Sequence, residues 1–237
     1  MKTERRERFK ETTREEIKAV AWGQIAKYGA PALSLRAIAR EMGLTAPALY
    51  RYFQDRDALV TALVIDAFNS FGDALEAGRS SRLESDHAGR LQAIGRAYRE
   101  WAAAYPQRYS LIFGTPIRGY CPAPETAPAG RRAFGVLLAA LNDAHRAGAL
   151  RLPMEYGRNP PSLDARLEIL RREAEIPYPA AVVQLALATW SHVHGLVSLE
   201  IIGQLPGFLG DQAPVFVEEE THHFLERLGL EKKGSIE

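Results

Sequence analysis

Between Ser34 and Phe53 the chain carries two runs of apolar residues at helical spacing, each barely two turns long, with a glycine between them. Leu35, Ile38, Ala39 and Met42 recur at i, i+3, i+4 and i+7, and Ala46, Leu49, Tyr50 and Phe53 repeat the pattern after Gly43-Leu44. Ser34 and Thr45 stand where N-caps belong, and Gly43 suits the left-handed residue that closes a helix. Pro47 falls in a first turn, where its missing N–H has no partner to lose. In front lies a longer amphipathic stretch, Thr13 to Tyr28, with Ile17, Val20, Ala21, Ile25 and Tyr28 on one stripe and Gly29-Ala30-Pro31 as its stop. Three helices in this order make a helix-turn-helix, whose last helix enters the major groove of DNA, although helix-glycine-helix units also occur in proteins that never touch nucleic acid.

The rest of the chain is read as helical too. Asp55 caps a fourth helix to about Ala77, with Leu59, Leu63, Phe68, Phe71 and Leu75 inward and Gly78 and two serines as its end. Further stretches run at about 86–104, 106–114, 127–147, 163–175, 179–204 and 212–229. Breaks fall at Pro106, at the Pro/Gly-rich run from Thr115 to Gly130, at 152–162 and at Pro206-Gly207. No run of alternating β-branched residues flanked by hairpin turns is present, so the fold class is all-α.

Composition bounds the function. With 237 residues, 46% hydrophobic and 25% charged, the chain can bury a core of one large or two smaller domains without a staple. One cysteine, Cys121, makes no intrachain bridge, and the charged first sixteen residues lack the apolar segment of a secretory signal, so a cytoplasmic protein is expected. Ile176 to Leu199 holds no Asp, Glu, Lys or Arg. Gln184, Thr189, Ser191, His192, His194 and Ser198 around it read as a buried helix rather than a membrane span. Net charge is +1, but residues 1–60 hold twelve Lys/Arg against eight Asp/Glu, +4, and the remainder eighteen against twenty-one, −3. The first quarter is built to approach an anion.

On a helical wheel Ala46, Tyr50 and Phe53 lie within about 100° of Leu49, which leaves Pro47, Ala48 and Arg51 outward. That outward face is small and free of acid, and can approach a duplex without repelling phosphates. Thr45 and the first-turn N–H groups can donate to a phosphate, and Tyr50 and Tyr52 put hydroxyls at the flank. Arg56 is expected on a phosphate likewise. Arg36, opposite Leu35 and Ile38, is expected to be the main polar base reader, since arginine reads guanine O6 and N7 bidentately.

The segment SLRAIAREMGLTAPALYRYFQDRDALV, Ser34 to Val60, resembles the DNA-binding domain of the TetR family of bacterial repressors, and Leu49-Tyr50-Arg51-Tyr52-Phe53 matches its signature. The resemblance implies Arg36, Ala46, Pro47 and Tyr50 on bases, and Ser34, Thr45, Tyr52 and Arg56 on phosphates, with arginine at 56 where the family usually has lysine. It implies a helix-turn-helix domain over 1–58 (motif 34–53) and a larger effector-binding and dimerisation domain over 59–237. AAYPQRYSLIFGTP at 103–116 and WSHVHGLVSLEIIG at 190–203 further resemble the subgroup named for a Trp-His-Gly pattern, here Trp190, His194 and Gly195.

For the effector, Trp101, Tyr105, Tyr109, Phe113, Phe134, Trp190 and His194 are candidate pocket residues, though each is also ordinary aromatic core. No metal site or cofactor is expected: His192 and His194 diverge by about 200° on a helix and His222 and His223 by about 100°. Homodimerisation is expected through the helices at about 179–204 and 212–229, with Gly195 allowing close approach, because the first of these is apolar on nearly every side. The expected function is a repressor released from a pseudo-palindromic DNA operator by a small-molecule effector that shifts the fourth helix. The alternatives are an architectural DNA-binding protein without effector, and a helical enzyme, for which no nucleophile-base set or phosphate loop is present.

Overall fold

The computed structural model describes residues 2–230, so 231–237 of the expected second domain lie outside it. Among the described residues every regular element is helical. The α-helices are α1 (Lys2–Tyr28), α2 (Leu35–Glu41), α3 (Ala46–Tyr50), α4 (Arg56–Ser80), α5 (His87–Ala104), α6 (Pro106–Phe113), α7 (Thr126–Arg146), α8 (Pro161–Glu173), α9 (Ala180–Ile201), α10 (Gln204–Leu209) and α11 (Ala213–Arg227). Short 3-10 turns at Ala30–Ala32, Met154–Gly157 and Gly210–Gln212 join some of them.

The chain forms two compact units. One ends at Asn69 and also takes in Tyr105–Gly130; the other is Ser70–Ala104 with the described residues from Arg131 on. The core of the first unit comes from the predicted stripes: Ile17, Ala21 and Ile25 of α1, Leu35 and Ile38 of α2, Leu49, Phe53, and Leu59 and Leu63 of α4, closed by Ile117. The unit thus recruits a segment, 105–130, that the sequence places with the larger domain. Tyr120 joins the rim of this core, its hydroxyl 3.1 Å from that of Thr61.

Four local expectations are corrected. Helix α1 starts at Lys2 rather than Thr13. Residues 4–12 are exposed all round, so no apolar stripe announces that part, and its Glu, Lys and Arg content supports helix on propensity. Gly78 does not end α4, which runs to Ser80. A Cβ there would lie 2.8 Å from the Ala93 carbonyl oxygen and 2.9 Å from the Ala97 Cβ, so Gly78 lets α4 and α5 touch. The break at Pro206-Gly207 lies within the short α10. Helix α3 stops at Tyr50 instead of continuing to Phe53.

Among the described residues two helices, α4 and α9, are long and apolar enough to cross a membrane by length and composition alone. Half of the α4 stretch and 39% of the α9 stretch are buried inside the protein, and α4 carries Asp66, Asp73 and Glu76.

Candidate nucleic-acid interface

The two short helices are set by local chemistry. The Ser34 hydroxyl oxygen accepts from the Ala37 N–H at 3.4 Å, and that of Thr45 from the Ala48 N–H at 3.4 Å. Each hydroxyl keeps its proton to donate outward. Gly43 takes φ 66°, a backbone region that L side chains avoid, and turns the chain between the helices. Leu49 and Phe53 are fully buried, and α1 secures the turn after α3: the Arg14 guanidinium donates to the Tyr52 carbonyl at 3.1 Å and lies 4.7 Å over the Phe53 ring.

Arg36, Thr45, Pro47, Tyr50 and Arg51 are exposed, and Ser34, Ala46 and Tyr52 are half-buried. Tyr50 corrects the helical wheel: it is 45% exposed, because α3 ends at that residue and the chain reaches Phe53 by a turn. The ring is thereby free to meet a ligand. Arg56, expected on a phosphate, is committed inside the protein: its Nε donates to the Leu33 carbonyl at 3.2 Å, and one terminal nitrogen to the Ala30 and Pro31 carbonyls at 3.1 and 3.3 Å. These carbonyls belong to the 3-10 turn after α1, where the Ala30 carbonyl also accepts from the Leu33 N–H at 3.2 Å.

The N-terminal turns of α1 add cations that the sequence reading left out by starting the helix at Thr13. Arg6 and Lys10, with Glu7 and Phe9, share with Arg51 and Tyr52 an open groove of about 600 Å³. The signal available was the charge of residues 2–10, five Lys/Arg against two Glu.

The residues expected around an effector divide between the units. Tyr105, Tyr109 and Phe113 belong to the first, where the Tyr109 and Phe113 rings are 5.3 Å apart and Phe113 meets Phe68 edge-on at 6.0 Å. Trp101, Phe134, Trp190 and His194 belong to the second and gather around two residues absent from the pocket candidates, Phe71, expected only as an inward residue of the fourth helix, and Tyr98. Phe71 lies 4.7 Å from the Tyr98 ring and 4.8 Å from that of Trp101, whose indole N–H donates to the Ser70 hydroxyl at 3.0 Å. The Tyr98 hydroxyl is 2.6 Å from His194 Nδ1, and burial lowers the His194 pKa, which favours a neutral imidazole. His192 instead stacks on Phe224, with ring centres 4.5 Å apart.

Two family models match the chain: one described as "Bacterial regulatory proteins, tetR family", over residues 17–63, and one as "Tetracyclin repressor-like, C-terminal domain", over 91–224. The chain belongs to the TetR family. Its members bind DNA operators and form dimers that bind small-molecule ligands. The protein is a DNA-binding transcriptional regulator, not an enzyme. It is similar to the HTH-type transcriptional regulator Rv1816 of Mycobacterium tuberculosis (strain ATCC 25618 / H37Rv), with 36% identity over 192 residues, 80% of this chain and 81% of the relative. Among solved structures, SCO4313, assigned as a regulatory protein, is 39% identical with a TM-score of 0.76, covering 93% of this chain and 98% of that one. A protein of unknown function from Rhodococcus sp. RHA1 is 25% identical with a TM-score of 0.66, covering 90% and 94%. The Trp-His-Gly subgroup remains a resemblance of two segments.

Proposed function

We propose that this TetR-family regulator acts in the cytoplasm as a homodimeric repressor, held on a pseudo-palindromic operator and released by a small-molecule effector. The observation that carries the reading is the outer surface of α2 and α3. Arg36, Pro47, Tyr50 and Arg51 are exposed there while Leu35, Ile38, Leu49 and Phe53 behind them are buried, so the reading groups sit on a fixed support. Arg36 makes the polar base contact, Ala46, Pro47 and Tyr50 make apolar ones, and Ser34, Thr45, Arg51 and Tyr52 hold phosphates. Arg56 positions the α1–α2 turn instead.

DNA reading belongs to residues 1–58, with the motif at 34–53, and effector binding and pairing to the remainder from 59. Pairing uses α9 and α11, which leave Leu187, Leu199, Val215 and Phe216 exposed. Gly195 lies among them on α9, with open space where a Cβ would be. A two-fold pair sets its reading helices one DNA turn apart, about 34–36 Å. Selection of bound sequences from a random duplex pool tests this. A palindrome with half-sites one turn apart is expected, and binding without sequence preference would favour an architectural protein.

A further inference from the structure

Within the second unit, an apolar pocket lies between α4, α5, α7, α9 and α11, walled by Leu75, Leu91, Tyr98, Leu137, Trp190 and Phe224 among others. None of its lining residues is charged. Thr189 also lines it, is 3% exposed, and its hydroxyl has no hydrogen-bond partner. A threonine inside a helix ordinarily donates to the carbonyl four residues back, as Thr221 does to Val217 at 2.8 Å. A buried hydroxyl left without that bond costs free energy that a ligand atom can restore. The other two hydroxyls in the wall, those of Tyr98 and Thr221, are taken by His194 and the Val217 carbonyl.

The cavity is about 20 Å³ by the volume open to the centre of a water molecule, space for little more than one water. On the α5–α11 side a surface cleft of about 100 Å³ shares two of its walls, Gly95 and Thr221. Those two residues pack tightly: a Cβ on Gly95 would stand 3.0 Å from the Thr221 methyl. The basic side chains of the cleft already have partners. Arg96 pairs with Glu218, Arg99 with Glu200 at 2.6 Å, and His222 meets Gln92 at 2.7 Å and Glu226 at 3.1 Å.

We infer that the effector is a small, uncharged, mainly apolar molecule with one hydrogen-bond acceptor, which enters where α5 meets α11 at Gly95 and Thr221 and takes the Thr189 hydroxyl as its polar handle. The inference rests on the effector-responsive reading above and names the chemistry of that site. A charged ligand would lie unpaired among apolar walls at heavy cost. The present space is too small for such a molecule, so binding requires α11 to part from α5 and widen it; α11 carries Val215 and Phe216 of the proposed pairing face, so occupancy is linked to dimer geometry.

Three probes with one skeleton separate the classes: n-butylbenzene, 4-phenyl-2-butanone and 4-phenylbutanoate, titrated calorimetrically into the full chain. The ketone is expected to bind about three- to tenfold more tightly than the hydrocarbon, the worth of one hydrogen bond, and the carboxylate to bind weakest. Thr189→Val, nearly isosteric, should erase the ketone's advantage and leave the hydrocarbon unchanged. Gly95→Ala should weaken both neutral probes and Thr221→Ala strengthen them. Tightest binding by the carboxylate, or an undiminished ketone preference in Thr189→Val, would overturn the assignment. So would absence of binding by all three probes in a protein that still selects its operator, whereas failure to select any operator would count against the regulator reading itself.

Discussion

The DNA-reading surface and the aromatic interior of the second unit are built on different principles. Most of what shapes the α2–α3 surface, Arg14 included, lies within twenty-five residues of Ser34, and each part acts on its neighbours: a cap on the next turn, a glycine on the next φ, an apolar triplet on the next helix. The ring cluster instead gathers Ser70, Phe71, Tyr98, Trp101, Phe134, Trp190 and His194 from four helices. The first design exposes its chemistry on a rigid support. The second hides it, and leaves the Thr189 hydroxyl without a partner inside.

Mutations can break or sharpen this contrast. Phe53→Ala and Phe71→Ala, each removing a fully buried ring, should each cost about 3–5 kcal/mol of unfolding free energy in urea titrations. Only Phe53→Ala should also remove operator binding in the fraction that stays folded. Arg56→Ala loses three carbonyl bonds and should cost about 1–3 kcal/mol of stability while leaving the salt dependence of DNA binding unaltered. A slope shallower by about one would put Arg56 on a phosphate after all. Tyr98→Phe should cost about 1 kcal/mol, and no change would show that the His194 contact is idle.

The smallest effect is one of pH. Because burial depresses the His194 pKa, the folded protein binds fewer protons at this residue than the unfolded chain, and stability rises with pH across the window between the two values. The contribution is complete above the unfolded value of about 6.5 and is lost as pH falls through the folded pKa. Urea midpoints should therefore decline less steeply below that value in His194→Asn than in the parent protein, and parallel profiles would remove His194 from the account.

Legibility in the sequence follows the same division. The all-helical class, the caps at Ser34, Thr45 and Asp55, and the glycine turn were readable because each is a short-range rule; the Asp55 carboxylate indeed accepts from the Ala58 N–H at 2.8 Å. Periodicity was blind to the first turns of α1, which have no buried side to advertise. It misplaced Tyr50 because a wheel assumes that a helix continues. Arg56 read as a phosphate ligand since its charge is visible in sequence and the Ala30, Pro31 and Leu33 carbonyls it meets in the fold are not. The list of pocket aromatics mixed two units, because composition cannot say that Tyr109 packs with Phe113 and Trp101 with Phe71. Nothing local marks Thr189, whose unpartnered hydroxyl emerges only from packing.

The central claim, that the α2–α3 surface reads sequence through Arg36, is tested most directly by one comparison: the affinity of the parent protein and of Arg36→Ala for a selected operator and for each of its single-base variants, at fixed salt. The account predicts a loss of about 1–3 kcal/mol on the operator and the disappearance of preference at one base position per half-site. An equal loss on every sequence, with all preferences intact, would contradict it and leave Arg36 as one more contact to the phosphate backbone.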